Sequence, residues 1–286
     1  MSDLHAINDA INKKAGRKLL PSIAVSVSLI LLVWGALATY RIAFAAIVAL
    51  AMVLACREMV HALKSADIHL SFAGISIASV GMAAAAWFGG VNGLAVALVI
   101  ALPWLLAYLL PQGPEHFTRT ASAYALTLIY IPFLAGFLIL LARPHNGLER
   151  VMTFVVLIAC NDTFAYLTGL AIGKHYMAPK ISPKKTWEGF AGSIVFTTIA
   201  GALSFHYILN AYAWIGAIAG LLVVFSGTTG DLIESAIKRD LAIKDMGDLL
   251  PGHGGVLDRI DSILFAAPAL FLALEVVRRL QENQIL

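Results

Sequence analysis

The sequence predicts an all-α, polytopic integral membrane protein with about nine transmembrane helices and a cytoplasmic amino terminus. Of its 286 residues, 60% are hydrophobic and only 13% are charged, whereas soluble domains carry about 25% charged residues. The mean hydropathy is +0.84. The apolar residues also occur in long runs without charges, which are typical of membrane-spanning helices rather than of a soluble core.

Seven apolar runs account for the predicted helices, because two of them are long enough to form two helices each. The runs are residues 21–40, 42–63, 70–114, 121–142, 151–173, 189–230 and 260–277. The third run would turn at Gly89–Gly93, and the sixth would break near Asn210. Polar residues weaken three runs, at Arg57–Glu58, Asn161–Asp162 and Asp261. If one of these runs is interfacial or re-entrant, the count becomes eight or ten.

The distribution of basic residues predicts the orientation. Fifteen of the 20 Lys and Arg residues would lie on the side of the amino terminus. By the positive-inside rule, this side is the cytoplasm. The net charge of +3 is therefore interpreted as topology and not as nucleic-acid binding. Residues 1–38 resemble a signal peptide, but their apolar stretch is about a full membrane span, so we expect it to be retained.

Polar residues within or beside the apolar runs concentrate in the carboxyl-terminal half. Four clusters lie at the predicted cytoplasmic side, namely Asn161–Asp162 and residues 174–188, 231–239 and 244–261. Ionisable residues are costly in a bilayer and therefore indicate function. We expect residues 1–150 to serve packing or dimerisation, and residues 151–286 to form a catalytic region.

The cluster at 231–239 places four polar side chains on one helical face. Asp231, Glu234, Ser235 and Lys238 are spaced i, i+3, i+4 and i+7. The preceding Gly227 and Gly230 would allow close approach of another backbone or of a ligand. An amphipathic helix end in solvent would explain the charges but not the glycines.

The stretch LPGHGGVLDRID (250–261) combines a glycine-rich turn with two helix-borne carboxylates. Its glycines could offer backbone N–H groups to an anion, and Asp258 would begin a helix together with Asp261. The helix dipole alone would also favour these carboxylates. Asp231 and Asp258 could bind Mg²⁺, which takes one or two protein carboxylates with phosphates and water. His253 could be a satisfied loop residue, a phosphate donor or a proton carrier.

The stretch KHYMAPKISPKKTWEG (174–189) is predicted to be an extended loop, because it contains Pro179 and Pro183. Its lysines could surround a multiply charged anion, and Ser182 and Thr186 add hydroxyl donors. A loop obeying the positive-inside rule would also contain lysines. The GxxxxGK[ST] pattern of a P-loop is absent.

These features favour a membrane enzyme that binds a phosphorylated cytosolic substrate with Mg²⁺ at the level of the lipid headgroups. The reaction would be phosphoryl or nucleotidyl transfer to a lipid phosphate, in which positioning and charge neutralisation dominate. A transporter of an anionic solute is the alternative. The sequence lacks the paired inverted repeats and corresponding broken helices that would favour it.

Residues 235–261 resemble the signature of the phosphatidate cytidylyltransferases, also called CDP-diacylglycerol synthases. The matching positions are Ser235, Lys238, Arg239, Lys244, Asp245, Gly247, Leu250, Pro251, His253, Gly254, Gly255, Asp258, Arg259 and Asp261. Residues 161–174, 181–189 and 230–235 are also similar to that family, so the resemblance covers residues 155–265. Glu58 looks like a less specific acidic position of the family.

The resemblance implies transfer of CMP from CTP to phosphatidic acid, with release of pyrophosphate, in phospholipid biosynthesis. It also implies a homodimer in the inner or plasma membrane. The activity would depend on Mg²⁺, and a second cation such as K⁺ could also bind. Polyprenol kinases and archaeal ether-lipid cytidylyltransferases are close alternatives.

The resemblance also implies roles for individual residues. Asp231 and Asp258 would bind the metal, and Asp162 is a lesser candidate near it. The residues expected to hold phosphates are Lys184, Lys185, Lys238 and Arg239. His253 and Asp261 would organise the loop. The other substrate-binding residues would be Ser182, Thr186, Ser235, Gly254, Gly255 and Arg259.

Overall fold

A computed structural model describes residues 34–249 and 254–282. Its elements are α1 (Arg41–Lys64), α2 (Phe72–Leu109) with a 3-10 turn (Leu110–Gln112), α3 (Phe117–Leu128), a π-helical segment (Ile129–Phe133), α4 (Leu134–Ala142), α5 (Gly147–Ile172), β1 (Tyr176–Ala178), β2 (Ser182–Thr186), α6 (Trp187–Tyr207), α7 (Ala213–Asp240) and α8 (Leu257–Glu282). The apolar runs become helices because, in lipid, a helix satisfies its own backbone hydrogen bonds.

Seven helical stretches of the described chain are long and apolar enough to cross a membrane, counting α3, the π-helical segment and α4 as one. The predicted multi-pass helical membrane protein is thereby confirmed. Most of the predicted span 21–40 lies outside the described residues. The count of nine helices and the cytoplasmic amino terminus stay predictions.

Helix α2 folds back on itself where the sequence predicts a turn. Gly90 has φ 64° and ψ −149°, a conformation that L side chains rarely adopt. Gly74 lies against Leu105, and a Cβ at Gly93 would be 2.3 Å from the carbonyl oxygen of Ala85. Contacts between residues this far apart in sequence require two antiparallel halves. The predicted break at Asn210 is also confirmed, since it lies between α6 and α7 in the left-handed region.

The carboxyl-terminal helices pack closely in sequence order, α5 on α6, α6 on α7 and α7 on α8. Glycines permit this packing. A Cβ at Gly201 of α6 would be 2.2 Å from the carbonyl oxygen of Gly216 in α7. Small residues allow such close helix contact in membranes, where lipid removes the hydrophobic force between helices.

The predicted extended loop before α6 is instead a two-stranded antiparallel hairpin. Tyr176 pairs with Thr186, and Ala178 pairs with Ser182, with an irregular register between them. Pro179 lies in the turn between the strands, where no ladder N–H is required. Except for this hairpin, the regular structure of the described chain is helical.

The polar clusters meet at one end of the helix bundle. Glu58, near the end of α1, accepts a hydrogen bond from the N–H of Val256 just before α8. At the opposite end, Arg143 after α4 donates to the carbonyl oxygen of Phe88 near the α2 turn. The end that contains Glu58 is called the polar end below.

Candidate active site

Lys185 and Asp231 join the hairpin to α7. The ammonium Nζ of Lys185 lies 2.6 Å from Oδ2 of Asp231, and both side chains are partly buried. The hydroxyl of Ser235, one turn later on α7, donates to Oδ1 of the same carboxylate at 3.3 Å. A predicted phosphate-binding residue, a predicted metal ligand and a predicted substrate-binding residue are therefore in direct contact.

A second lysine, Lys238, lies between two carboxylates of the neighbouring helices α7 and α8. Its Nζ is 2.8 Å from Oδ1 of Asp258 and also pairs with Glu234. Glu234 is fully buried. A buried carboxylate needs a paired charge to offset its loss of hydration, and Lys238 contacts both acids but carries the charge to offset only one of them.

Asp258 also fixes the loop that precedes α8. Its Oδ2 accepts hydrogen bonds from the N–H of Met246 at 3.0 Å and of Gly255 at 2.8 Å. The side chain therefore faces inward, with one oxygen toward Lys238 and the other toward the loop backbone. An acidic residue in the first helical turn is also favoured by the helix dipole.

Glu58 is a loop-fixing residue to which sequence reasoning assigned no role. Its Oε1 accepts from Val256 N–H at 2.9 Å, and its Oε2 accepts from Leu257 N–H at 2.8 Å. A Cβ at Gly247 or Gly255 would come within 2.6 Å of this carboxylate, so a side chain at either position would displace Glu58. The sequence signals were a charged pair interrupting the apolar run 42–63 and a resemblance of low specificity to an acidic position of the family.

Helices α5, α7 and α8 cross beside these ion pairs. A Cβ at Gly230 would be 2.5 Å from the carbonyl oxygen of Asp261, which confirms the predicted close backbone approach. Asp162, Asp231 and Asp261 lie near enough to interact electrostatically with one another. These three carboxylates come from three helices, so the site is built by packing and not by one motif.

The other residues predicted on the hairpin have different environments. Lys184 is exposed, whereas Lys185 points to α7, as alternation along a strand requires. The hydroxyl of Thr186 accepts from Gly189 N–H and caps α6. Ser182 is partly buried at the start of β2. Arg239 is exposed and donates to the carbonyl oxygen of Ile181 in the hairpin turn.

The glycine-rich turn is only partly described. Gly254 has φ 78°, which favours glycine. A Cβ at this position would lie 3.0 Å from Oδ2 of Asp258. The N–H of Gly255 is directed to Asp258 rather than outward. Arg259 is exposed in the first turn of α8. His253 lies outside the described residues, and its role stays a prediction.

The two lysine–carboxylate pairs suit a ligand that combines phosphate groups with a bound cation. Two lysines could neutralise phosphates, and their partner carboxylates could accept a cation. Within the described residues, no three acidic, His or Cys side chains are placed to enclose a metal by themselves. Mg²⁺ usually completes its shell with substrate phosphates and water, so Asp231 and its neighbouring carboxylates fit it.

Comparisons with known proteins agree with these features. The sequence model described as "Cytidylyltransferase family" matches residues 21–277. The phosphatidate cytidylyltransferase of Mycobacterium bovis is 36% identical over 280 residues, covering 92% of this chain and 90% of that protein. The phosphatidate cytidylyltransferase of Staphylococcus saprophyticus is 33% identical over 207 residues, covering 72% of this chain and 78% of that protein. The similarity extends beyond the motifs at residues 155–265 into the amino-terminal helices.

Proposed function

Because this chain belongs to the cytidylyltransferase family, we propose that it is a phosphatidate cytidylyltransferase. It transfers the cytidylyl group of CTP to phosphatidic acid, giving CDP-diacylglycerol and pyrophosphate, in phospholipid biosynthesis. The observation that carries the proposal is the pair of ion pairs, Lys185–Asp231 and Lys238–Asp258, at one end of membrane-spanning helices. This site lies where a lipid phosphate and a water-soluble nucleotide can meet.

The reaction needs no protein nucleophile. Phosphatidic acid is an anion near neutral pH, and its phosphate oxygen attacks the α-phosphorus of CTP. The bond from that phosphorus to the oxygen bridging to the β-phosphate breaks, and pyrophosphate leaves. Lys185 and Lys238 neutralise the charge on the phosphates, since positioning and electrostatic stabilisation dominate such transfers.

Substrate binding would exchange the partners of the two lysines. In the structure each ammonium faces a carboxylate. We propose that the ammoniums turn to phosphate oxygens when CTP enters. The exposed Lys184 and Arg239 lie on the outer side of the hairpin and of α7, where they can attract CTP or hold pyrophosphate.

We propose that Asp231 is the principal ligand for Mg²⁺, with Asp261 and Asp162 beside it. Asp258 can contribute only the oxygen that Lys238 releases, because its other oxygen accepts two backbone N–H groups. Mg²⁺ would supply further neutralisation of the phosphates. A second cation such as K⁺ stays a proposal for the same group of carboxylates.

We propose the plasma or inner membrane as the location, with the polar end facing the cytoplasm. CTP is a cytosolic substrate, and the basic residues concentrate at this end, as the positive-inside rule expects. The predicted homodimer and the predicted lack of nucleic-acid binding remain to be tested by light scattering of the detergent-solubilised protein and by gel-shift measurements.

A direct transfer assay tests the function. The purified protein is supplied with phosphatidic acid, Mg²⁺ and CTP labelled in the α-phosphate, and label is followed into lipid alongside pyrophosphate release. Label in lipid that requires all three components supports the proposal. Transfer only to another lipid phosphate or alcohol would change the substrate. A folded protein that binds CTP without transfer to any lipid would reject the enzyme and favour the transporter.

A further inference from the structure

Tyr130 is a buried tyrosine that the proposed mechanism does not use. It lies in the π-helical segment between α3 and α4 and is 3% exposed. Among the described residues, its hydroxyl has no hydrogen-bond partner. Buried hydroxyls almost always have a partner, so this exception requires an explanation.

The surroundings of Tyr130 connect it to the active site. Its ring packs on Phe265 of α8, with ring centroids 5.9 Å apart. Phe265 follows Asp261 by one helical turn and borders Gly230, the residue before Asp231. The hydroxyl interacts electrostatically with the carboxylates of Glu234, Asp261, Asp231 and Asp258. Tyr130 therefore lies beside the part of α8 that carries Asp261.

The local backbone explains how this residue comes to face the cluster. Pro132 lacks an N–H group and cannot continue the ladder of α-helical hydrogen bonds. The chain forms a π-helical turn there, and such turns often occur at functional sites. The wider turn changes which face of the helix carries Tyr130.

Glu234 is the natural acceptor for this hydroxyl. It is fully buried and paired with Lys238, while its Oε1 has no hydrogen-bond partner among the described residues. If Lys238 turns to a phosphate, Glu234 loses this partner while its side chain stays buried. A buried polar group without a partner is costly, so another donor is needed at that moment.

We propose that Tyr130 is a positioning residue, whose hydroxyl donates a hydrogen bond to Glu234 when Lys238 turns to the phosphates of the bound nucleotide. The hydroxyl stabilises the substrate-loaded arrangement and contributes little to the stability of the fold itself. This inference rests on the proposed function, since it assumes that the lysine exchanges a carboxylate for a phosphate.

The test compares Tyr130→Phe with Tyr124→Phe. Both tyrosines are buried in the same transmembrane segment, but the hydroxyl of Tyr124 is already bonded, accepting from Ser71 N–H at 2.6 Å. Tyr130→Phe keeps the ring against Phe265 and removes only the hydroxyl. We expect kcat/KM for CTP to fall about tenfold or more, as for loss of one hydrogen bond to a charged group, with an unfolding midpoint that does not fall.

Tyr124→Phe should show the opposite pattern, a lower unfolding midpoint with kcat/KM within about twofold of the wild type. The inference is overturned if Tyr130→Phe retains kcat/KM within about twofold, or if its midpoint falls as far as that of Tyr124→Phe. A wild type that transfers nothing to lipid would reject the proposed function itself. The inference on Tyr130 would then be decided by binding of inorganic pyrophosphate with Mg²⁺, which Tyr130→Phe should weaken; equal binding would overturn it.

Discussion

Lys185 of the hairpin and Asp231 of α7 form an ion pair of 2.6 Å across 46 residues of sequence. The two residues are predicted to bind opposite charges of the substrate complex, a phosphate and a cation. The ion pair places each of them next to the group that the other is predicted to use, so their roles are testable with the same assay.

Asp231→Asn should abolish cytidylyl transfer while the protein still folds in the membrane. The amide can still accept from Ser235, but it cannot neutralise a cation or Lys185. Removal of one group that stabilises transition-state charge costs on the order of 10²–10³-fold in kcat in a well-studied acyl-transfer enzyme, and we expect at least a similar loss here. The measurement is transfer of label to lipid over a range of Mg²⁺ concentrations. Asp67→Asn, at an exposed turn, is the matched control and should retain activity. Near-normal turnover of Asp231→Asn with the Mg²⁺ dependence of the wild type would remove it from the metal site.

Asp258→Asn and Asp261→Asn should separate stability from catalysis. An amide at position 258 would direct its NH₂ group either at the ammonium of Lys238 or at the N–H groups of Met246 and Gly255, and each of these is a donor that needs an acceptor. Removing one partner of a buried ion pair destabilises by about 3 kcal/mol, so the unfolding midpoint should fall together with activity. Asp261→Asn should lose transfer at nearly wild-type stability, because its Oδ1 can still accept from Ser262 N–H. Equal midpoints for the two variants would contradict the loop-fixing role of Asp258.

Glu58→Gln should loosen the loop before α8. A glutamine can accept one of the two N–H groups, but its own N–H₂ would oppose the other. A buried donor left without a partner costs about 1–3 kcal/mol. We expect faster tryptic cleavage after the exposed Lys244 and a lower kcat.

The control for Glu58 is Glu115→Gln, which changes an exposed glutamate at the same end of the helix bundle. It should leave both the cleavage rate and kcat unchanged. If Glu58→Gln is cleaved no faster than Glu115→Gln, the carboxylate does not hold the loop.

Gly230→Ala should push α8 away from α7. The new methyl group would meet the carbonyl oxygen of Asp261 at 2.5 Å, and overpacking of this kind costs about 1–3 kcal/mol. Because Asp261 would move, transfer should fall more than stability. Gly81→Ala in α2 meets no atom within 4 Å and should be neutral or stabilise by about 0.5–1 kcal/mol. If Gly230→Ala and Gly81→Ala show equal transfer activity and equal stability, the contact between α7 and α8 tolerates a side chain at residue 230.

Helical periodicity predicts which side chains share one face of a helix, and the structure has this face on α7. Asp231, Ser235 and Lys238 do lie on one face of α7, and Gly230 does allow close approach. Periodicity does not predict which lysine pairs with which carboxylate, because that depends on how separate helices pack. It also does not reveal that Thr186 caps α6 or that residues 176–186 pair as strands. These outcomes depend on hydrogen bonds between residues of different segments.

The bond from Glu58 to the N-terminus of α8 spans 198 residues of sequence, and this spacing has a consequence for synthesis of the chain. Ribosomes add roughly 5–20 residues per second. Glu58 therefore enters the membrane about 10–40 s before the N–H groups that it accepts have been made. During this interval its carboxylate must remain hydrated at the membrane surface or take a temporary partner. The loop before α8 can be fixed only after Val256 and Leu257 have been made, so a ribosome that stops before α8 leaves Glu58 without these two donors.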